Sequence, residues 1–406
     1  MTDASEARGA LDGVVVLDLS RILAGPTCTQ LLADLGATVW KIENPATGGD
    51  DTRAWGPPYA PDGRGGDSDL SAYFMSANRN KHSVAADLAD PADRAMLMDL
   101  AARADIVIEN FKPDGLERFG LDAESLRAAY PGLVYCSISG YGQTGPNRDK
   151  PGYDLMAQGW GGIMSLTGAP DGPPMKVGVG IADVMCGMYA CVGILAALRH
   201  RDATGEGQHV EIGLVDSQMA WLINEGTNYL TSGKLPRRRG NAHPNIVPYE
   251  VFAVADGHVI VAVGNDAQFV RFCDFLGLPD LAADPRFATN PARLEHRETL
   301  IPVISEALAR LPAAAVTESL EARKVPVGPV HTVDQALGSE QARAREMVVE
   351  VARPDAPPVR LLGNPLKFSA TPVTYRRAPP ALGEGQAALG RFLAATPPKQ
   401  DSGEND

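Results

Sequence analysis

The sequence predicts an α/β protein with two domains, the larger one built on a parallel sheet covered by helices. Its 406 residues exceed the usual size of a single hydrophobic core. Strand-like and helix-like segments alternate through the first third of the chain. The sequence pattern changes near residue 231, where a basic segment precedes a strand-like hairpin. Hydrophobic residues make up 44% and charged residues 21%, which is typical of a folded globular protein.

The alternation starts with a buried strand at 14–19 (VVVLDL), a short helix at 26–35 and a second strand at 38–43 (TVWKIE). Such alternation predicts parallel strands covered by helices. An open parallel sheet binds ligands outside the carboxyl ends of its strands. The pattern repeats further along the chain, with a helix at 91–104 and strands at 105–109 and 133–137.

The second half of the chain supplies the smaller domain. A hairpin is predicted in VFAVADGHVIVAVG, with its turn at Asp256-Gly257. We place the smaller domain at 231–325 and build the larger domain from 1–230 plus 326–406. From residue 354 onward, proline-rich segments predict an extended strap across a surface. The remaining predicted elements are a long helix at 183–200, a strand at 209–212, and helices at 216–230, 268–276 and 301–311.

A nicotinamide enzyme is the first alternative for such a sheet. After the first strand the chain reads SRILAGPTCTQ rather than GxGxxG, so the glycines that admit a pyrophosphate are missing. No GxxxxGK[ST] loop occurs either, and Glu43 at the end of the second strand is weak support by itself. The sheet is of Rossmann type without the dinucleotide fingerprint.

Composition excludes several classes of partner. A formal net charge of −13 argues against nucleic acid, because that ligand needs a basic footprint. Five cysteines without a CxxC pair favour a reducing compartment, and residues 1–10 do not resemble a secretory signal. The apolar stretch at 184–198 is too short for a membrane span. We therefore expect a cytoplasmic protein with no nucleic-acid or membrane partner.

Common hydrolase and metal motifs are missing from the sequence. GxSxG does not occur, the seven histidines are dispersed, and neither HExxH nor a Cys/His cluster is found. No metal site is therefore predicted. His243 lies in GNAHPN, a loop composition that fits a site and fits an ordinary turn equally well.

The most informative stretch is the glycine-rich segment 152–200, in which Asp183 stands directly before an apolar helix. One interpretation is a helix N-cap, for which Asp is well suited. The other is a nucleophile, because the helix dipole and backbone donors would keep the carboxylate ionised while nearby glycines admit a substrate carbonyl. Covalent carboxylate catalysis needs such surroundings. The residues alone favour the cap.

The sequence resembles the class III CoA-transferase family, which includes formyl-CoA and carnitine CoA-transferases. The resemblance covers nearly the whole chain. In the family the Asp before the long helix is the nucleophile, which maps onto Asp183. The resemblance is carried in order by LDGVVVLDLSRILAGP, LGATVWKIENP, NRNKHSVAADL, ADIVIENFKPDGLERFG, GYGQTGP, GYDLMAQ, GIADVMCGMYA, ALRHRDATGEGQHVEIGLVDSQ, PVGPVHTVDQAL and PPALGE.

The family resemblance also implies a Rossmann-like large domain, a smaller inserted α/β domain and an interlocked homodimer. The substrates would be a coenzyme A thioester and small carboxylic acids, with no permanently bound cofactor. Arg118 and Lys112 suit phosphates and Phe111 suits adenine, although Arg118 without the resemblance would be placed on a helix surface. The CoA site carried over from the family consists of Leu23, Ala24, Asn44, Ala86, Asp87, Leu88, Ala89, Asn110, Phe111, Lys112, Arg118, Tyr153 and Asp154.

Two departures bear on the substrate. Leu23 stands where formyl-CoA transferase has Gln, and GNAHPNIVPY occupies the region of the family's glycine-rich flap, so formate is not the expected acceptor. DDTRAWGPPY, NRNKHS, GYGQTGP and NIVPYEVF resemble the branch that uses succinyl-CoA with glutarate-like dicarboxylates. Arg53, or the cluster Arg237 to Arg239, could pair a distal carboxylate, although a solvated basic turn also explains the cluster.

The expected chemistry is CoA transfer through an anhydride on Asp183 and then an aspartyl-CoA thioester. One alternative is an α-methylacyl-CoA racemase, which uses a His beside an Asp in a GHD context. Here the chain reads Gly152-Tyr153-Asp154, and a phenol, with an ordinary pKa of about 10, is a poor general base. The alternative of another class is a non-catalytic CoA-binding protein, against which the intact Asp183 and its glycines weigh.

Overall fold

The computed structural model describes residues 9–399, and up to residue 222 its strands and helices largely alternate. The carboxyl ends of the parallel strands in this part support the site described below. Its elements are β1 (Val15–Asp18), α1 (Ala24–Asp34), β2 (Thr38–Glu43), β3 (Tyr59–Pro61), β4 (Asp67–Ser71), α2 (Ala72–Ser76), β5 (Lys81–Ala85), α3 (Pro91–Ala101), β6 (Ile106–Glu109), α4 (Ala123–Ala129), β7 (Val134–Ser139), α5 (Asp154–Trp160), α6 (Ile181–Thr204), β8 (His209–Gly213) and α7 (Leu214–Ala220).

Six of these strands form one parallel sheet in the order β5-β2-β1-β6-β7-β8. The predicted α/β class and parallel sheet are therefore confirmed, and the four strands predicted in the first third fall on β1, β2, β6 and β7. The strand order reverses at β1, which pairs with β2 on one side and β6 on the other. At such a switch point the loops after neighbouring strands separate and leave a crevice for a ligand.

Helices cover both faces of the sheet because successive side chains of a buried strand point in opposite directions. Val16 of β1 packs with α1 and α6, whereas Leu17 packs with α3 and α16 (Gln386–Ala395). Helix α6 is long and apolar enough to cross a membrane by length and composition. Half of the apolar stretch of this helix is buried inside the protein, and the core helix of a globular protein has the same length and composition.

The predicted helix at 216–230 is wrong as a single element. Helix α7 ends at Ala220, and the next helix, α8, runs from Ile223 to Ser232. Ile223 has a φ of 42°, a left-handed conformation that a β-branched residue adopts only under constraint and that interrupts helical hydrogen bonding.

A second compact unit comprises residues 164–175 and 223–339, whereas the predicted smaller domain was 231–325. It contains the predicted hairpin, in which β9 and β10 pair antiparallel from Val254–Gly257 outward, and a core that includes Phe252, Val259 and Phe269. Its later elements are β9 (Tyr249–Val254), β10 (Gly257–Ala262), α9 (Asp266–Leu276), α10 (Pro279–Ala283), α11 (Asn290–Glu295), α12 (Arg297–Leu308), α13 (Ala313–Ala322), β11 (Val327–Pro329) and α14 (Val333–Gly338).

The C-terminal part of the chain belongs to the larger unit. After α15 (Glu340–Ala344) it forms an antiparallel hairpin of β12 (Val348–Arg353) and β13 (Ala356–Leu362), which the prediction of a plain strap missed. The following segment is extended, and the N–H groups of Arg376 and Arg377 donate to Asn80 Oδ1 at 2.7 and 3.0 Å. Polar contacts of this kind fix the segment onto the sheet edge before α16.

Candidate active site

A cavity of about 530 Å³ opens at the switch point of the sheet, within the larger unit. Residues that follow β1, β6 and β7 line it, together with the first turn of α6. The predicted nucleophile lies in this cavity with most of the predicted CoA residues. Those predicted residues are Leu23, Ala24, Asn110, Phe111, Lys112, Arg118, Tyr153 and Asp183.

A second cavity of about 320 Å³ lies beside the first and is lined by residues that follow β2 and β5. Arg21, Phe111 and Arg118 line both cavities, so the two spaces share one wall. A ligand with a long arm and a bulky polar end group therefore has two adjoining compartments available. The predicted CoA residues in the second cavity are Asn44, Ala86, Asp87, Leu88 and Ala89, in addition to the shared Phe111 and Arg118.

Asp154 is the predicted CoA residue that lines neither cavity; it caps α6 instead. Its Oδ1 accepts the N–H of Ala182 at 2.8 Å and that of Asp183 at 3.4 Å, while its Oδ2 accepts from Gln158 Nε2 at 2.7 Å. The alternative of Asp183 as N-cap is therefore wrong. Gly180 occupies the N-cap position, and a carboxylate from α5 supplies the acceptor.

Asp183 consequently sits in the first turn of α6 with its carboxyl group on the cavity wall. The side chain is buried, with 7% of the residue exposed. Burial, and then the charge of Asp154, raise the pKa of the Asp183 carboxyl to about 7. The helix dipole and backbone donors were expected to keep this group ionised, but the N–H groups of Ala182 and Asp183 donate to Asp154 instead. Both protonation states are populated near neutral pH.

The N-terminus of α1 lies against the same part of α6. No side chain caps α1, whose N-cap is Leu23. A Cβ added to Gly187 would come within 2.4 Å of the Ala24 carbonyl oxygen, and one added to Gly180 would come within 3.0 Å of the Leu23 side chain. These two glycines flank Asp183 along α6 and permit the close approach. The first N–H groups of a helix lack intrahelical partners, so α1 offers backbone donors beside Asp183.

Positive charge dominates the first cavity. The carboxylates on its wall are Asp51 and Asp183. Arg21 pairs with Asp51 at 2.9 Å, whereas Lys112 has no ion-pair partner among residues 9–399. Such a surface suits a phosphorylated ligand. The cations that line the cavity are Arg21, Lys112, Arg118, Arg148 and Lys150.

Three of those cations were missed by sequence reasoning. Arg21 lies three residues after the end of β1, and Arg148 and Lys150 precede GYD in NRDKPGYD. A position after a strand of the sheet was the available signal for Arg21. Nothing in the local sequence distinguished Arg148, which pairs with Asp114 at 2.7 Å, from a surface residue.

Arg53, one of the two options considered for a substrate carboxylate, lines neither cavity. The buried guanidinium donates twice to Glu43, at 2.8 and 2.7 Å, and lies over the Phe74 ring. Burial requires such a cation to be fully paired within the protein.

The Arg237 to Arg239 cluster and His243 belong to the second unit. Arg238 donates to the carbonyl oxygens of Ala169 and Gly172, and Arg239 pairs with Glu225 at 3.0 Å. His243 Nδ1 accepts the N–H of Asn245 at 3.1 Å, which is a turn contact. Within the described part of the chain, no group of three or more His, Cys, Asp and Glu side chains could hold a metal ion.

Comparisons with known proteins agree with the predicted CoA site. A family model described as CoA-transferase family III matches residues 11–386. The succinate–glutarate CoA-transferase of Agrobacterium fabrum is 47% identical over 389 residues, covering 96% of this chain and 97% of that protein. The succinyl-CoA:mesaconate CoA-transferase of Haloarcula hispanica is 40% identical over 386 residues, covering 94% and 96%. The crystal structure of a CaiB/BaiF family protein from Brucella suis superposes with a TM-score of 0.84 at 45% identity, covering 95% of this chain and 100% of that one.

Proposed function

The chain belongs to CoA-transferase family III, and we propose that it moves CoA from succinyl-CoA to a dicarboxylic acid such as glutarate through covalent intermediates on Asp183. The observation that carries the proposal is a buried carboxyl group on a cavity wall, beside an uncapped helix N-terminus and among cations. The substrate class comes from the relatives, which are named for glutarate and mesaconate transfer.

The first half-reaction begins when an Asp183 oxygen attacks the thioester carbon of the donor. The C–S bond breaks, CoA leaves as a thiolate, and the donor acyl group forms a mixed anhydride with Asp183. The thiolate then attacks the Asp183 carbonyl carbon, which releases the donor acid as a carboxylate and leaves CoA bound to Asp183 as a thioester. No proton or external energy source is consumed, since each intermediate keeps the acyl group activated.

The second half-reaction repeats these steps in reverse with the acceptor. Its carboxylate attacks the aspartyl thioester, the thiolate leaves, and an acceptor anhydride forms on Asp183. The thiolate then attacks the acceptor side of that anhydride, giving the new acyl-CoA and free Asp183. Every tetrahedral intermediate carries an oxyanion, and we assign its stabilisation to the N–H groups at the start of α1, Leu23 and Ala24, which line the same cavity as Asp183.

The two cavities divide the CoA molecule between them in this proposal. Phe111 and Arg118 stand on the shared wall, so the phosphates pass Arg118 and the thiol arm reaches Asp183 through the first cavity. The adenosine end then occupies the space lined by Asn44 and the segment 86–89. This division uses the long, flexible shape of CoA.

A homodimer forms part of the proposal. Several large apolar side chains on α5 and α6 are exposed in the single chain, and Val192 is 64% exposed. An apolar surface of this kind is costly in water and typical of an interface, which fits the interlocked arrangement implied by the family. The exposed residues are Leu155, Met156, Trp160, Met188, Tyr189 and Val192. The five free, buried cysteines fit a reducing cytoplasm, which we propose as the location.

The test is an exchange assay with the purified protein, succinyl-CoA and a panel of mono- and dicarboxylic acids, without ATP or added metal. Mass spectrometry of the CoA esters is expected to show glutaryl-CoA or a related dicarboxylyl-CoA. A panel without any new CoA ester would overturn transfer. Deuterium entering the α-position of a 2-methylacyl-CoA in D₂O would instead favour the racemase.

A further inference from the structure

The turn after β1 contains a strained residue. Ile22 has a φ of 72°, and it is β-branched, so its side chain disfavours this left-handed conformation. A residue of this kind persists only where the surrounding structure holds it, and such strain concentrates at functional sites. Ile22 is also the last residue before Leu23 and Ala24, whose N–H groups begin α1.

A buried ion pair holds both ends of this turn. Lys41 Nζ donates to the carbonyl oxygen of Ser20 at 2.9 Å, while the Asp50 carboxylate accepts the N–H of Ile22 at 3.1 and 3.2 Å. Lys41 and Asp50 pair with each other at 2.8 Å, and both side chains are fully buried. Burial alone would raise the pKa of Asp50, but the Lys41 ammonium lowers it to about 2, so the pair is charged at neutral pH.

Asn110 holds the middle of the same turn from the other side. Its Nδ2 donates to the carbonyl oxygen of Arg21 at 2.7 Å, and its Oδ1 accepts the N–H of Arg21 at 3.0 Å. Asn110 was predicted to bind CoA; although it lines the first cavity, its amide group is occupied by the protein backbone. Side chains thus satisfy successive backbone polar groups from Ser20 to Ile22.

We propose that Lys41, Asp50 and Asn110 are positioning residues for CoA transfer, which hold the strained turn so that the Leu23 and Ala24 N–H groups face Asp183. The inference rests on the proposed function of Asp183. A buried ion pair can often be replaced by apolar side chains without loss of stability. The turn gives this pair a further role, because it satisfies two backbone groups that an apolar pair would leave without partners.

The first test substitutes Asp50→Asn, which keeps the side-chain shape and removes the charge. We expect kcat to fall by about 10- to 100-fold, as a misplacement near 1 Å does. The KM for the acyl-CoA should rise as well, because Arg21 lies on the turn and both Lys41 and Asp50 line the second cavity. The measurement specific to positioning is therefore kcat at saturating acyl-CoA. Amide hydrogen exchange in the segment 19–25 should accelerate. Asn110→Ala, which leaves the ion pair intact, should act in the same direction and serves if Asp50→Asn does not fold.

Rescue distinguishes positioning from a general structural role. Glycine adopts a φ of 72° without strain, so adding Ile22→Gly to Asp50→Asn should restore part of the lost kcat. The matched control is Asp34→Asn, which breaks a buried pair with Arg79 away from both cavities. It should lower stability, leave the kcat of the folded enzyme unchanged, and show no response to Ile22→Gly.

Each outcome decides one proposal. Wild-type protein without CoA-transfer activity would overturn the proposed function. Amide hydrogen exchange in the segment 19–25 would still show whether Asp50 and Asn110 stabilise the turn. Active wild-type protein with an unchanged kcat in Asp50→Asn would overturn positioning alone. An equal loss of kcat in Asp34→Asn, or an absence of rescue by Ile22→Gly, would show that the Lys41–Asp50 pair contributes only to stability.

Discussion

The Asp154 carboxylate accepts the backbone N–H of Asp183 at 3.4 Å, so one acidic residue fixes the position of another. Its negative charge also contributes to the raised pKa of the Asp183 carboxyl. The Asp183 carboxyl group is thereby held on the cavity wall without accepting the helix N–H groups itself. This relationship governs how the protein should respond to pH.

Activity should rise as the pH increases through about 7, because the ionised form of Asp183 attacks and its pKa lies there. Asp154→Asn removes a negative charge that disfavours ionisation, so the pKa of Asp183 falls and the acid limb of the kcat profile shifts to lower pH. Glu306→Gln, in an exposed pair with Arg310, is the control and should leave the limb in place. An unshifted limb in Asp154→Asn would show that the two carboxyl groups are not coupled.

Asp183 should also cost stability at neutral pH. Its pKa is raised in the folded state from the ordinary value of 3.8 to about 7, so the folded state favours the protonated form. Stability is therefore lost as the pH rises from about 4 to 7. Asp183→Asn is expected to raise stability at pH 8 by roughly 4 kcal/mol and to have little effect at pH 4. Denaturant unfolding at both values measures this. Equal effects at both values would contradict the raised pKa.

Gly187→Ala should damage the site through the backbone. The new Cβ would lie 2.4 Å from the Ala24 carbonyl oxygen, so α1 must move away from α6. We expect a loss of about 1–3 kcal/mol in the free energy of unfolding, together with a lower kcat. Gly390→Ala in α16 is the matched control, since its Cβ would meet nothing within 4 Å, and it should stabilise by about 0.5–1 kcal/mol. A normal kcat in Gly187→Ala would show that the position of α1 does not affect catalysis.

Local sequence patterns predicted the sheet because buried parallel strands are short apolar runs, as in VVVLDL and TVWKIE. The family motifs then assigned CoA-binding residues to the segments that follow those strands. Because the carboxyl ends of parallel strands lie at one edge of the sheet, these segments meet around the two cavities. The capping of α6 by Asp154 could not be predicted, since the acceptor lies 28 residues from its donor Ala182. The burial of Arg53 against Glu43 depends equally on tertiary contacts.

Arg118 should contribute mainly to binding. It lines both cavities and has no ion-pair partner among the described residues, so a ligand phosphate would be its counter-charge. Arg118→Ala should raise the KM for acyl-CoA by about 10-fold or more, with a larger effect at low salt. Arg310→Ala removes a surface guanidinium paired with Glu306 and is the control for net charge. An unchanged KM in Arg118→Ala would remove this residue from the phosphate site.

Covalent chemistry on Asp183 can be trapped directly. Hydroxylamine attacks anhydrides and thioesters but leaves a free carboxylate unchanged, so incubation with succinyl-CoA and hydroxylamine should convert Asp183 to a hydroxamate. Peptide mass spectrometry should place the change on the segment IADVMCGMYA. In Asp183→Asn the amide is a much weaker nucleophile, and because Asp154 provides the cap, the substitution should leave α6 intact. That variant should bind CoA, fold normally and acquire no label. A racemase would use Asp183 only as an acid or base, so deuterium exchange at the α-carbon of a 2-methylacyl-CoA with an unlabelled Asp183 would overturn the transfer mechanism.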